Sequence, residues 1–163
     1  MKLTEHFNRE EFEHSGAMPS NVVPAYVNLC AEILEPIREQ FETPLTITSG
    51  YRSPDHNKEI GGAKGSQHMA TPDFCAADFK CAVDMQVVFD WIRLSSGLPF
   101  DQVILEHEHG DGPPACIHIS WAKDYRRVAL EGLTHGRSSY VKRDVELPII
   151  AKAHVDGDEH FGG

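Results

Sequence analysis

What this chain has little of narrows it first. Basic residues are scarce, 15 Lys and Arg against 25 Asp and Glu, for a formal net charge of -10. No basic stretch offsets that excess, which argues against a nucleic-acid partner and against simple electrostatic adhesion to an anionic wall or membrane. No run of about eighteen apolar residues occurs, so no membrane insertion is expected. The opening Met1-Lys2-Leu3-Thr4-Glu5-His6 places no apolar run behind a basic one, so a secretory signal is not expected and synthesis in the cytoplasm is. Cys30, Cys75, Cys81 and Cys116 contain no C-x-x-C spacing, which disfavours a zinc ribbon or a dithiol redox centre. Reduced thiols are the expectation in that compartment. Internal repeats and low-complexity segments are also missing.

What is present suits one globular domain. A length of 163 residues with 40% hydrophobic content is enough to bury a core. We expect that domain over residues 1–150, followed by an acidic flexible tail over 151–163. Asn8-Arg9-Glu10-Glu11 reads as a capping box and predicts a short helix to about His14. The clearest helix should run from Pro24 to about Glu42, with Val27, Cys30, Ile33, Leu34, Ile37 and Phe41 on one face. Pro36 should kink it or mark a tightened segment. Leu45 to Ser49 alternates as a half-buried strand, and Tyr51 to Gly65 is rich in turn formers. Cys75 to Phe79 predicts a short strand, and Asp84 caps a helix that stops near Gly97. Gln102 to Glu106 and Cys116 to Trp121 read as strands joined by a polar loop, with an edge strand over Arg126 to Leu130. The order predicts an α+β fold: a small antiparallel sheet carrying a cleft, with N-terminal helices packed against it.

Chemistry concentrates at His68, Asp78 and His118. Two imidazoles and a carboxylate would make an open metal site, because zinc takes four ligands and three from protein leave a position for water. Strand alternation puts His118 on one face with Cys116 and Ser120, and Ile117, Ile119 and Trp121 on the other. Asp78 sits among apolar neighbours, where a carboxylate needs a cation or a hydrogen-bond partner. An ion pair with Arg52 would also satisfy it. Taken singly, His68 and His118 could each be a hydrogen-bonded structural histidine. Arg52, after Ser49-Gly50-Tyr51, could hold a substrate carboxylate or a developing oxyanion, or make a surface salt bridge.

The ordered succession is more specific than its parts. Ser49-Gly50-Tyr51-Arg52-Ser53-Pro54, Asn57, Gly61-Gly62-Ala63, Ser66-Gln67-His68, Ala76-Ala77-Asp78 and Ile117-His118-Ile119-Ser120 follow one another. That series resembles the zinc D-Ala-D-Ala carboxypeptidase family, which includes phage and bacterial L,D- and D,D-peptidases of peptidoglycan. The likeness extends from about Leu3 to Trp121. It implies a zinc ion held by His68, Asp78 and His118, with a metal-activated water attacking an amide of a peptidoglycan stem peptide. It also implies Arg52 polarising the carbonyl or holding substrate, and Ser66, with Ser120, seating it. Phage endolysin-like members suggest a monomer acting on the cell wall after release, or as part of a virion.

Two departures stand out. The interval between His68 and Asp78 is longer by three residues than the family's His-x-x-Gly-x-Ala-x-Asp. Thr71-Pro72-Asp73 can bulge outward in a turn, which also makes Asp73 a competing ligand. Ala115 and Cys116 stand where relatives carry a glutamate or a second histidine before the last ligand. Glu106, at a neighbouring strand end, becomes the candidate general base, with His107, Glu108 and His109 as alternatives. Cys116 could instead join the metal and close the site. A catalytically degenerate zinc module that binds the cell wall is therefore the alternative function.

Overall fold

Local capping chemistry starts the chain. In the computed structural model, which describes residues 1–108, 112–132 and 140–146, the Glu11 carboxylate accepts from the Asn8 amide at 2.6 Å. The helix this starts is a single 3-10 turn, Arg9–Phe12, shorter than the sequence suggests. It delivers Phe12 to the core, where the ring meets Tyr26 at 5.2 Å between centroids. The 151–163 tail and His109 lie outside the described residues.

The long helix forms in three parts: α1 (Val23–Leu29), a π-helical stretch over Cys30–Leu34, and α2 (Glu35–Phe41). Pro24 lies in the first turn, where a missing N–H costs nothing. Of the two expectations for Pro36, a kink or a tightened segment, the second does not hold, because the turn ahead of it is widened. A proline ring crowds the carbonyl one turn back, and a π turn makes room for it. Tyr26, Leu29, Cys30, Ile33, Leu34 and Ile37 are all fully buried, so the widening preserves the apolar face.

Among the described residues six strands form one sheet: β1 (Thr46–Ser49), β2 (Phe74–Lys80), β3 (Gln102–His107), β4 (Pro114–Ala122), β5 (Val128–Gly132) and β6 (Tyr140–Arg143). Their spatial order is β1-β2-β4-β3-β5-β6. The α+β expectation holds, with a correction. The sheet is not purely antiparallel, because β3 and β5 run parallel. Nor is β5 an edge strand, since β6 pairs beyond it. Two further α-helices occur among the described residues, α3 (Pro54–Glu59) and α4 (Met85–Leu94). Asp84 caps α4 through its side chain as expected, whereas α3 occupies a stretch whose composition suggested only turns.

The sheet's two faces divide the labour. Ala77, Phe79, Val103, Leu105, Ile117 and Ile119 are fully buried under α1 and α4. Successive residues alternate faces, so Asp78, Ile104, Glu106 and His118 point the other way, where among the described residues no α-helix covers the sheet. That open face is the floor of a cleft.

Candidate metal centre

Strand register places two members of the site. Asp78 on β2 lies directly opposite His118 on β4, and the His118 Nδ1 stands 2.9 Å from the Asp78 Oδ1. The three additional residues upstream do not disturb this pairing. Thr71 and Phe74 close a tight turn through reciprocal backbone bonds of 2.9 and 3.3 Å, leaving Pro72 and Asp73 exposed at its tip. The insertion bulges outward, and β2 begins in register behind it.

The third member arrives from a 3-10 turn, Gln67–Met69, whose N-cap is Ser66. The Ser66 hydroxyl accepts from the His68 amide at 3.3 Å. The His68 ring is buried, with Nδ1 at 2.8 Å from the Gly50 carbonyl. A carbonyl can only accept, so Nδ1 carries the hydrogen and a neutral His68 presents the Nε2 lone pair. That nitrogen faces the Asp78 Oδ1 at 3.3 Å. A lone pair opposed to a carboxylate oxygen calls for a cation between them.

The residues therefore fit a metal ion. One ligand atom from each of His68, Asp78 and His118 lies within 4.8 Å of the others, and among the described residues no other His, Cys, Asp or Glu joins the group. Burial pushes the Asp78 carboxyl up, but the flanking His118 and His68 rings outweigh it, holding the group well below the usual carboxylate range. It is thus available as an anionic ligand. Two imidazoles and one carboxylate are the donor set of catalytic zinc sites, which keep a position open.

Arg52 reaches the same cleft by a separate device. Its amide donates to the His68 carbonyl at 2.8 Å, which ties the strand end to the ligand turn. Its Nη1 donates to the Asn57 Oδ1 at 3.0 Å, and the buried Asn57 donates in turn to the Ala63 carbonyl at 2.9 Å. No ion pair to Arg52 occurs among the described residues. Its partner is a neutral amide, not Asp78, so its charge remains for a ligand.

Glu106 sits on the cleft face of β3, opposite Cys116 and diagonal to His118. Diagonal neighbours lie roughly 7–8 Å apart along the backbone, and the Glu106 carboxylate leans to the other side of β3, where the Tyr140 hydroxyl meets it at 3.0 Å. The cleft, about 650 Å³, is lined by Arg52, Ser66, His68, Asp78, Glu106 and His118 together with Arg126 and Tyr140. That volume is typical of small-molecule and peptide pockets.

Several sequence candidates fall elsewhere. Ser120 is fully buried, its hydroxyl accepting from the Gln102 amide at 3.0 Å, so it braces β4 against β3 and does not reach the cleft. Asp73 is exposed at the turn tip, away from the ligands. The Cys116 thiol, although on the cleft face, is pushed up to about 12 by burial and by the charges of Asp78 and Glu106. Its sulfur does not fall within the group formed by His68, Asp78 and His118. His107 points to the opposite face, with Nε2 at 3.0 Å from Glu131, and Glu108 is exposed.

Other residues of the site escape the sequence reading. Asp101, nearly fully buried, accepts from Gln67 at 2.7 Å and from Arg126 at 2.8 and 2.9 Å, bracing the residue next to His68. Tyr140 lies beyond the last strand read from the sequence, yet its hydroxyl meets Glu106 at 3.0 Å. Gly132, ending β5, was the available signal, because glycine in a strand marks a close approach.

The sequence model of the family described as Peptidase M15 matches residues 5–107, a span that takes in Arg52, Ser66, His68, Asp78 and Glu106. No curated protein gives a match.

Proposed function

The chain belongs to the Peptidase M15 family, and from that premise we propose that it is a zinc peptidase that cleaves an amide bond in peptidoglycan stem peptides, of the D-Ala-D-Ala carboxypeptidase or endopeptidase type. The observation that carries this reading is the His68–Asp78–His118 cluster, open on a cleft. Zinc held by these side chains supplies Lewis acidity, which brings water toward ionisation near neutral pH and polarises an amide carbonyl.

The chain's own residues supply the rest. The carboxylate of Glu106 takes the proton from the attacking water and returns it to the departing amine, the two-way role of a general acid–base. The Arg52 guanidinium, held from one side by Asn57, uses its remaining N–H groups on the carbonyl oxygen or on a substrate carboxylate. Ser66 holds the His68 turn through its oxygen and keeps its hydroxyl hydrogen for substrate. Gly50 holds the His68 ring in the tautomer that exposes Nε2. In this proposal the enzyme works as a monomer at the cell wall, as a phage lysin does.

The test incubates zinc-loaded protein with purified peptidoglycan and seeks new termini by mass spectrometry. Release by the wild type and none by His118→Ala is the expected result. Equal release by both would exclude the metal mechanism, and release by neither would favour a wall-binding module.

A further inference from the structure

One row of side chains crosses the open face beside the metal ligands. Register pairs Cys116 with Glu106, Glu106 with Gly132, and Gly132 with Tyr140, across β4, β3, β5 and β6. The next row along the strands holds Asp78, His118, Ile104 and Leu130. Tyr140 and Glu106 are therefore two strands apart, about 10 Å at ordinary strand spacing. They still touch. The Tyr140 hydroxyl lies 3.0 Å from Oε1 and 3.2 Å from Oε2 of Glu106.

Contact at that span requires an empty place between them, and Gly132 is that place. A Cβ at residue 132 would stand 3.0 Å from the Tyr140 ring and 3.1 Å from the Glu106 Oε2. Both atoms would have to give way by a few tenths of an ångström. The phenol is pushed up to about 12, first by burial and then by the adjacent Glu106 charge, so at neutral pH it is a donor and the carboxylate the acceptor.

We propose that Tyr140 is a positioning residue for Glu106, bridging over Gly132 to fix the carboxylate in one place on the cleft face. This rests on the reading of Glu106 as the base. A glutamate at a strand end has several staggered side-chain rotamers, and the phenol selects one. Tyr140 itself exchanges no proton in the reaction; the proton taken by Glu106 leaves with the amine.

The test has a kinetic arm and a metal-free arm. With soluble muropeptides and zinc-loaded full-length protein, Tyr140→Phe should lower kcat roughly 10–100-fold, the worth of one hydrogen bond to a charged group, and leave KM nearly unchanged. Gly132→Ala, which keeps both partners and crowds the bridge between them, should show the same split to a smaller extent. In a Glu106→Ala background, Tyr140→Phe should have no further effect. In the metal-free arm, the Tyr140 Cζ resonance of carbon-13-labelled protein, assigned by its loss in Tyr140→Phe, should move when Glu106 becomes Ala. An unchanged kcat in Tyr140→Phe, an undiminished loss in the Glu106→Ala background, or a Cζ resonance indifferent to Glu106 would each overturn the proposal. If the wild type releases no product while the resonance moves, the peptidase reading fails and the pairing stands.

Discussion

Gly62 sets the position of Arg52 by having no side chain. A Cβ there would lie 2.0 Å from the Asn57 Oδ1 and 3.2 Å from the Arg52 Nη1. Asn57 is buried and already committed to Ala63, so it cannot retreat without losing a bond. Gly62→Ala should therefore destabilise the fold by about 1–3 kcal/mol, the usual cost of overpacking. It should also lower activity by freeing Arg52, while zinc content stays at the wild-type level. Thermal melts and metal analysis on one preparation check both halves, and loss of zinc would show that the Asn57 cluster supports the ligands too. At Asp78, charge matters more than shape. Asp78→Asn keeps the size and removes the anion that His68 and His118 face. Zinc affinity should fall by more than the ~10–100-fold that a supporting residue costs, measured by competition with a chelating dye.

At the scale of elements, Asp101 joins three parts of the chain: the start of β3, the turn before β5 through Arg126, and the His68 turn through Gln67. Burial pushes its carboxyl up, but hydrogen bonds from Arg126 and Gln67 win and hold it below its ordinary value. A carboxyl depressed in the folded state contributes stability above its unfolded value of about 3.9, and loses it as pH falls through the folded value. Asp101→Asn should thus cost about 1–3 kcal/mol at pH 7, a range set by bonds to a charged group whose Arg126 partner is mostly exposed. The gap from wild type should narrow in urea melts below about pH 4; a gap constant with pH would mean that packing, not charge, is lost. This brace was not legible in the sequence, because its members are far apart and none belongs to a pattern. The alternating strands were legible, as was the long helix, because apolar period reports which face is buried. Helix α3 was hidden, since Asp55, His56, Asn57, Lys58 and Glu59 have no apolar face, although Ser53-Pro54 carried its start signal. The parallel pair was hidden for a topological reason. Strand β4 takes the place between β2 and β3, so the returning chain can join only the free edge of β3, in the parallel sense.

For the molecule as a whole, the metal centre is a cross-link between distant segments. Its ligands come from the turn before β2, from β2 and from β4, and His118 is 40 residues from Asp78. Motif order made the three ligands recognisable, but only the register of β2 against β4 brings Asp78 to His118. The unfolded chain has no such meeting point, so zinc bound to the folded state must stabilise it by mass action, about 2.7 kcal/mol at a hundred times the dissociation constant. For a chain of this size each kcal/mol raises Tm by about 2–4 °C, so saturating zinc should lift the melt by roughly 5–11 °C over the chelator-treated protein. His118→Ala should abolish that lift. Glu106→Ala should keep nearly all of it while losing hydrolysis, because a base near the metal adds to the rate and not to the affinity. A Glu106→Ala protein that loses the lift as completely as His118→Ala would make Glu106 a fourth ligand. The site would then be closed, and the chain a zinc-stabilised wall-binding module instead of an enzyme.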